Sequence, residues 1–206
     1  MAPHTDDLAL SGVDAQTLKA LFTDARTFSY WTSRPVDDAL LRHAYEFARM
    51  APTAANCQPL RIVFVRSAAA KARLLPTLAP PNVEKTAGAP VTAILAWDSH
   101  FYDQLPTLYP HTDARAWYAG SEKAALAHET AFRNASLQAG YFILAARLLG
   151  LDCGPMSGFD AAALDREFFA DGRWRANFLC NLGYGDRSKL HPRSPRLTFD
   201  EACSIL

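Results

Sequence analysis

The nine residues Ala51-Pro-Thr-Ala-Ala-Asn-Cys-Gln-Pro59 concentrate unusual chemistry in a short stiff stretch. Asn56 and Gln58 each offer a donor and an acceptor, and Thr53, Ala54 and Ala55 are small enough to leave the backbone open to a ligand. Four other stretches carry polar groups between regular runs: Arg26-Thr-Phe28, Asn82-Val-Glu-Lys85, Gly154-Pro-Met-Ser-Gly-Phe-Asp160 and Arg193-Ser-Pro-Arg196. Each has a plain alternative: a turn that only turns, a solvated Asn and Lys, a surface pair of arginines.

Several common sites are excluded. His-Glu-Thr-Ala-Phe at 128–132 begins like a zinc-protease helix, but Phe132 stands where the second histidine is needed. Gly-Tyr-Gly-Asp-Arg-Ser at 183–188 lacks the third glycine of a dinucleotide fingerprint. There is no Walker loop and no Gly-x-Ser-x-Gly elbow. The six histidines are scattered, so no metal centre is predicted. Cys57, Cys153, Cys180 and Cys203 form no Cys-x-x-Cys pair and read as free thiols.

The elements between these stretches must position them. Leu18, Leu21 and Phe22 have helical spacing in 14–25, with Asp14 as N-cap. Asp37 opens a second helix with a broad apolar face, and Pro52 stops it. Residues 60–66 alternate and are β-branched, which predicts a strand. A helix over 67–78 precedes a nearly continuous apolar run at 90–97, the pattern of a central strand. Residues 98–127, rich in aromatics, prolines and histidines, predict an irregular cover with short helices. The clearest helix is 129–149; from Ala139 it is apolar nearly all round except Arg147, so it is predicted to be the buried central helix, with Gly150 as C-cap. Residues 152–160 read as a tight turn, 160–169 as a short helix and 176–185 as a last strand. The tail has too few apolar residues to form a layer and reads as an arm.

The 206 residues suit one domain, and half are hydrophobic. Lys plus Arg and Asp plus Glu are both 21, so no basic excess points to nucleic acid. The longest stretch free of acids and bases, 134–146, is too short to span a membrane. The N-terminal residues lack the basic start and apolar run of a signal, which predicts a cytoplasmic protein.

Taken in order, the five stretches resemble the flavin-binding features of the nitroreductase family of FMN-dependent reductases, over about 18–206. The resemblance implies a role for each stretch. Arg26, Thr27 and Phe28 stand where the family has a longer basic stretch holding the FMN phosphate, and Arg193 and Arg196 complete the clamp. Pro52, Thr53, Ala54, Asn56 and Gln58 match a turn that reaches the flavin ring from the partner subunit. Asn82 and Lys85 lie at the ring's polar edge, where Lys85 stabilises the anionic reduced form. Pro155, Met156, Ser157 and Gly158 bring backbone amides to the flavin N5. The implied fold is α+β: a mixed, mostly antiparallel sheet flanked by helices, in an intertwined homodimer whose arm, about 187–206, embraces the partner. By the same resemblance FMN is the bound cofactor, NADH or NADPH the transient hydride donor, and the reaction is ping-pong. No side chain is assigned as a catalytic acid; water supplies the proton.

Pro52–Pro59, Asp113-Ala-Arg-Ala-Trp117, 129–141, 150–160 and 183–202 are similar to one branch of that family, the malonic semialdehyde reductases of pyrimidine utilisation. That substrate carries a carboxylate, for which His111 and Arg115 are the candidates; an exposed Arg115 paired with Asp113 is the alternative. Three functions stay open: a malonic semialdehyde reductase, a general nitro or quinone reductase, and a flavin-binding protein without turnover.

Overall fold

The computed structural model describes residues 12–206; the residues read for a leader fall almost wholly outside that range. Asp14 caps α1, Ala15–Leu18, by accepting from the Thr17 amide, and one wide turn, Lys19–Thr23, continues it. Asp37 likewise caps α2, Asp38–Ala48. After the 51–59 turn come β1, Leu60–Val65, and α3, Ala68–Leu74, capped by Ser67. Then follow α4, Pro80–Gly88, and β2, Val91–Asp98. The cover segment holds single helical turns and α5, Leu105–Leu108, much as predicted. It leads into α6, Ala124–Leu148, then β3, Asp152–Met156; α7, Ala161–Phe168; β4, Trp174–Gly183; and α8, Phe199–Ala202.

The sheet order is β1-β2-β4-β3, every strand pair antiparallel. The parallel component is one isolated bridge, Thr27 to Cys153. β2 is buried along its whole length, because it lies inside the sheet with helices on both faces. Its side chains alternate: Val91, Ala93, Leu95 and Trp97 join the core beneath α2 and α6, while Ile94 and Ala96 join a smaller core with Leu74, Leu164 and Phe169.

Three expectations need correction. Residues 152–156 are an edge strand, not part of a tight turn. Pro155 is tolerated there because an edge strand need not donate on its outer side. The Asn82–Lys85 stretch, expected as a link before β2, belongs to α4, started by Pro80 and Pro81 in the first turn, where a missing N–H costs nothing. α6 begins five residues earlier than expected, and it is not buried all round: Phe132, Leu137, Tyr141 and Leu148 are exposed on this chain. Its C-terminus ends as predicted. Gly150 has φ +80°, its amide reaches the Arg147 carbonyl and the Leu151 amide reaches the Ala146 carbonyl, the paired bonds of a Schellman cap.

Candidate functional site

A groove with a cavity volume of about 810 Å³ lies between residues 22–30 and the tail from Lys189 to Leu197. The tail is tied there by side chains. Arg193 Nη2 donates to the carbonyls of Thr23 (2.6 Å) and Ala25 (2.8 Å), and Arg26 donates to the His191 carbonyl. Among the described residues, Arg196 Nη1 bonds only the carbonyls of Ser194 and Pro195, its own neighbours. Arg26, Arg147, Lys189, Arg193 and Arg196 thus surround the groove against a single lining acid among the described residues, Asp186. Such an excess of one sign in a concave site attracts anions. Arg147, on α6, escapes a reading of the sequence because it looks like the one flaw in an apolar helix. Its Nη1 reaches the Leu21 carbonyl at 3.3 Å, and its buried Nε has no partner among the described residues.

The segment Arg26–Trp31 forms one wall. It is fixed to the sheet at both ends, by the Thr27–Cys153 and Trp31–Gly185 bridges. Thr27 is exposed on this wall, whereas Phe28 is 2% exposed. The Phe28 ring fits because residue 185 is glycine: a Cβ there would lie 1.9 Å from its Cδ1. Phe28 therefore seats the wall, and it also lines the groove. The Trp31 indole donates to the Lys85 carbonyl at 3.1 Å, linking this wall to α4.

α4 carries Asn82 and Lys85, both half-buried. The Asn82 Nδ2 donates to the Gly158 carbonyl at 2.9 Å, and the Gly158 carbonyl also accepts the Ala79 amide. The structure therefore joins the Asn82 stretch to the Pro155–Gly158 stretch; a Cβ on Gly158 would lie 2.6 Å from Asn82 Nδ2. α4 is docked by a buried polar chain in which Asn181 bonds both Thr92 (2.7 Å) and Thr86 (3.3 Å). Lys71 Nζ closes its C-terminal end, donating to the carbonyls of Thr86 (2.6 Å) and Ala89, where a cation is favoured. Burial lowers the Lys71 pKa.

The 51–59 turn is not brought to that groove. It precedes Leu60, which pairs with Trp97 near the end of β2, whereas the groove wall meets the sheet where Val91 pairs with Leu182, at its start. Six residues of strand separate the two ends, about 20 Å. Within the turn Ala55, Asn56 and Gln58 have φ of 49°, 49° and 40°, a left-handed region non-glycine residues seldom occupy. Pro52, Ala54 and Asn56 are exposed, and Cys57 is buried beneath them. Burial pushes the Cys57 thiol up to about 11, against a hydrogen bond from Thr53 that lowers it, so it stays a thiol at neutral pH. Two residues holding this turn, Asn134 and Gln138 on α6, were not foreseen: Asn134 Oδ1 accepts the Ala54 amide (2.9 Å) and Gln138 Oε1 the Leu60 amide (3.1 Å).

His111 and Arg115 are exposed in the cover segment. His111 packs edge-on to Tyr109 with centroids 5.5 Å apart. Arg115 pairs with Asp103 at 3.4 Å, not with Asp113, whose carboxylate accepts the Ala116 amide instead. Arg115 also lines a small cavity of about 290 Å³ with Pro106, Pro110 and Thr112. No group of side chains suited to a metal ion occurs among the described residues. No helix among them is long and apolar enough to cross a membrane.

Comparison with known proteins gives a consistent result. The profile of the nitroreductase family matches residues 24–184. A Ralstonia nicotianae protein with the provisional name NADH dehydrogenase/NAD(P)H nitroreductase is 55% identical over 194 residues, covering 94% of this chain and 98% of that protein. Among solved structures, a provisionally named nitroreductase from Bacillus subtilis superposes with a TM-score of 0.81 at 22% identity, covering 94% of this chain and 100% of the other. Another, from Exiguobacterium sibiricum and solved in complex with FMN, superposes with a TM-score of 0.79 at 19% identity, covering 96% and 99%.

Proposed function

The chain belongs to the nitroreductase family, and from that premise we propose that it is an FMN-dependent NAD(P)H oxidoreductase acting as a homodimer. The observation that carries the reading is the groove of five cations and one acid between residues 22–30 and the tail. Its residues fit a phosphate-bearing cofactor: a guanidinium nitrogen on Arg147 without a partner among the described residues, three further arginines and room for a ligand. Arg26, Arg193 and Arg196 would hold the phosphate. FMN supplies the hydride chemistry, and the protein supplies binding, orientation and charge. Thr27 would line the phosphate end, Asn82 and Lys85 the polar edge of the ring, and Lys85 would favour negative charge there. The backbone of Pro155, Met156, Ser157 and Gly158 would face the reacting side.

The turn residues Pro52, Thr53, Ala54, Asn56 and Gln58 would complete the site of a second copy. Two observations support that reading: the turn lies at the far end of the sheet from the groove, and exposed apolar residues remain on α6 and in the arm. Leu197, Phe199, Ile205 and Leu206 are exposed on this chain, more apolar surface than a short tail leaves without a purpose. Of the arm 187–206, the part up to Leu197 lies against its own chain, and the remainder, 198–206, would cover the partner.

As substrate we propose malonic semialdehyde, reduced to 3-hydroxypropionate, on the likeness of Asp113–Trp117 and 183–202 to that branch, with His111 and Arg115 near its carboxylate. The second reading is a general nitro or quinone reductase. It is favoured by the relatives' names and by the Arg115–Asp103 pair, which leaves no free cation at Arg115. The test is a paired steady-state assay of the FMN-loaded protein with malonic semialdehyde and with a nitroaromatic, each with NADH and NADPH. A higher kcat/KM for the nitroaromatic would favour the second reading, and a protein that takes up no FMN would sink both.

A further inference from the structure

Asn134 and Gln138 are separated by one helical turn on α6, only 6% and 2% exposed, on a buried face they share with Thr130, Ala131, Ala135, Ala139 and Phe142. A carboxamide buried on such a face is costly unless it is hydrogen-bonded. Both are bonded, and both to the same target from its two ends. Asn134 Oδ1 accepts the Ala54 amide while its Nδ2 donates to the Thr130 carbonyl at 2.8 Å. Gln138 Oε1 accepts the Leu60 amide. Between those amides lie the three left-handed residues Ala55, Asn56 and Gln58. Inside the turn, the Gln58 amide donates to Thr53 Oγ1 (3.2 Å) and Gln58 Nε2 to Asn56 Oδ1 (2.8 Å). Left-handed conformations at non-glycine residues persist only where the surroundings over-determine them. The α6 amides supply that constraint from below, leaving Ala54 and Asn56 facing outward.

We infer that Asn134 and Gln138 are positioning residues that hold the 53–59 turn in its ligand-ready shape before any ligand arrives. The inference rests on the reading that this turn meets the flavin ring. Each amide withdraws one buried bond from the alternatives open to the turn, so losing one lets it relax and binding must then reorder it. Asn134→Leu and Gln138→Met should each weaken flavin binding roughly tenfold, the scale of one buried hydrogen bond. Because the turn faces the ring, FMN and riboflavin should weaken together. Gln138→Glu, which keeps the acceptor oxygen, should restore part of the affinity, whereas Asn134→Asp should not, because it sets a second acceptor against the Thr130 carbonyl. In the flavin-free protein, amide exchange at Ala54 and Leu60 should accelerate about tenfold in the Leu and Met variants. The experiment is a fluorescence titration with both flavins, with hydrogen exchange on the same samples and on Gln138→Met alone should Asn134→Leu fail to fold. Unchanged dissociation constants beside a wild type that binds FMN would overturn this inference and leave the proposed function standing. A wild type that binds neither flavin would overturn the proposed function itself and this inference with it.

Discussion

Arg196→Ala separates phosphate binding from structural support, because among the described residues Arg196 holds only its own neighbours. Its Nη1 bonds only the Ser194 and Pro195 carbonyls, one and two residues back, and the side chain is exposed. Removing it should change the stability of the flavin-free protein by less than about 0.5 kcal/mol. If it clamps the phosphate, the loss in FMN binding should be about 1.5–3 kcal/mol, the scale of a hydrogen bond to a charged group, or roughly tenfold to a hundredfold in Kd. Riboflavin, which lacks the phosphate, should bind wild type and variant equally. Arg196→Lys should recover part of the loss, since an ammonium cannot make the planar two-pronged contact. Arg193→Ala is the internal control. It removes the bonds to Thr23 and Ala25 that tie the tail to the body, so it should weaken both flavins. The assay is fluorescence quenching on titration with each flavin, beside urea unfolding of the flavin-free proteins. Equal weakening of FMN and riboflavin by Arg196→Ala would refute the phosphate role.

Asp98 is 1% exposed and accepts from Arg61 at 2.7 Å, from Arg173 at 3.1 Å and from the His100 amide at 2.9 Å. Asp98→Ala should therefore cost about 2–4 kcal/mol in urea unfolding, less than a fully buried pair because both arginines can rehydrate. Gly185→Ala drives a methyl into the Phe28 ring and should lower stability by about 1–3 kcal/mol, with a changed near-ultraviolet circular dichroism spectrum as the wall residue Trp31 shifts. Cys57 has its folded pKa raised, chiefly by burial, to about 11. The folded state thus holds its proton where the unfolded chain releases it, so this contribution is present at pH 7 and is lost as pH rises towards 11. The difference in unfolding free energy between wild type and Cys57→Ala should shrink between pH 8 and pH 10.5, and a pH-independent difference would count against it.

The elements with strong periodicity were legible: the apolar run of β2, the alternation of β1, and the helices whose Asp or Ser caps open them. β3 was not, because Gly154 and Pro155 carry turn chemistry, and only the position of the strand at the sheet edge makes them acceptable. α4 was hidden by two prolines at its start and a single turn of apolar residues. The arginines that the structure brings to one groove, Arg26, Arg193 and Arg196, could be read from local stretches. Asn134 and Gln138 could not, since a carboxamide on a helix looks the same in sequence whether it faces water or an amide 80 residues away. Nor could the exposure of Phe132, Leu137, Tyr141 and Leu148 on α6, which an apolar circumference by itself does not reveal.

In one chain the arginine groove and the 51–59 turn lie at opposite ends of β2, about 20 Å apart. If each flavin site takes its phosphate clamp from one subunit and its turn from the other, two defects can complement. Arg196→Ala damages the clamp, and Asn56→Ala damages the turn, whose Asn56 also holds the Leu108 carbonyl at 2.9 Å. In a heterodimer of the two variants, one site combines the damaged clamp with the damaged turn. The other combines the intact clamp of the Asn56→Ala chain with the intact turn of the Arg196→Ala chain. Half of the sites should therefore bind FMN as wild type does, although each homodimer binds it roughly tenfold or more weakly at every site. Co-expression with two affinity tags isolates the heterodimer, and a biphasic FMN titration with a tight phase of half amplitude is the expected result. If clamp and turn served the same chain's site, every site would carry one defect and no tight phase would appear. That outcome, or sedimentation of the wild type as a monomer at micromolar concentration, would remove the shared site and with it the proposed crossing of the arm.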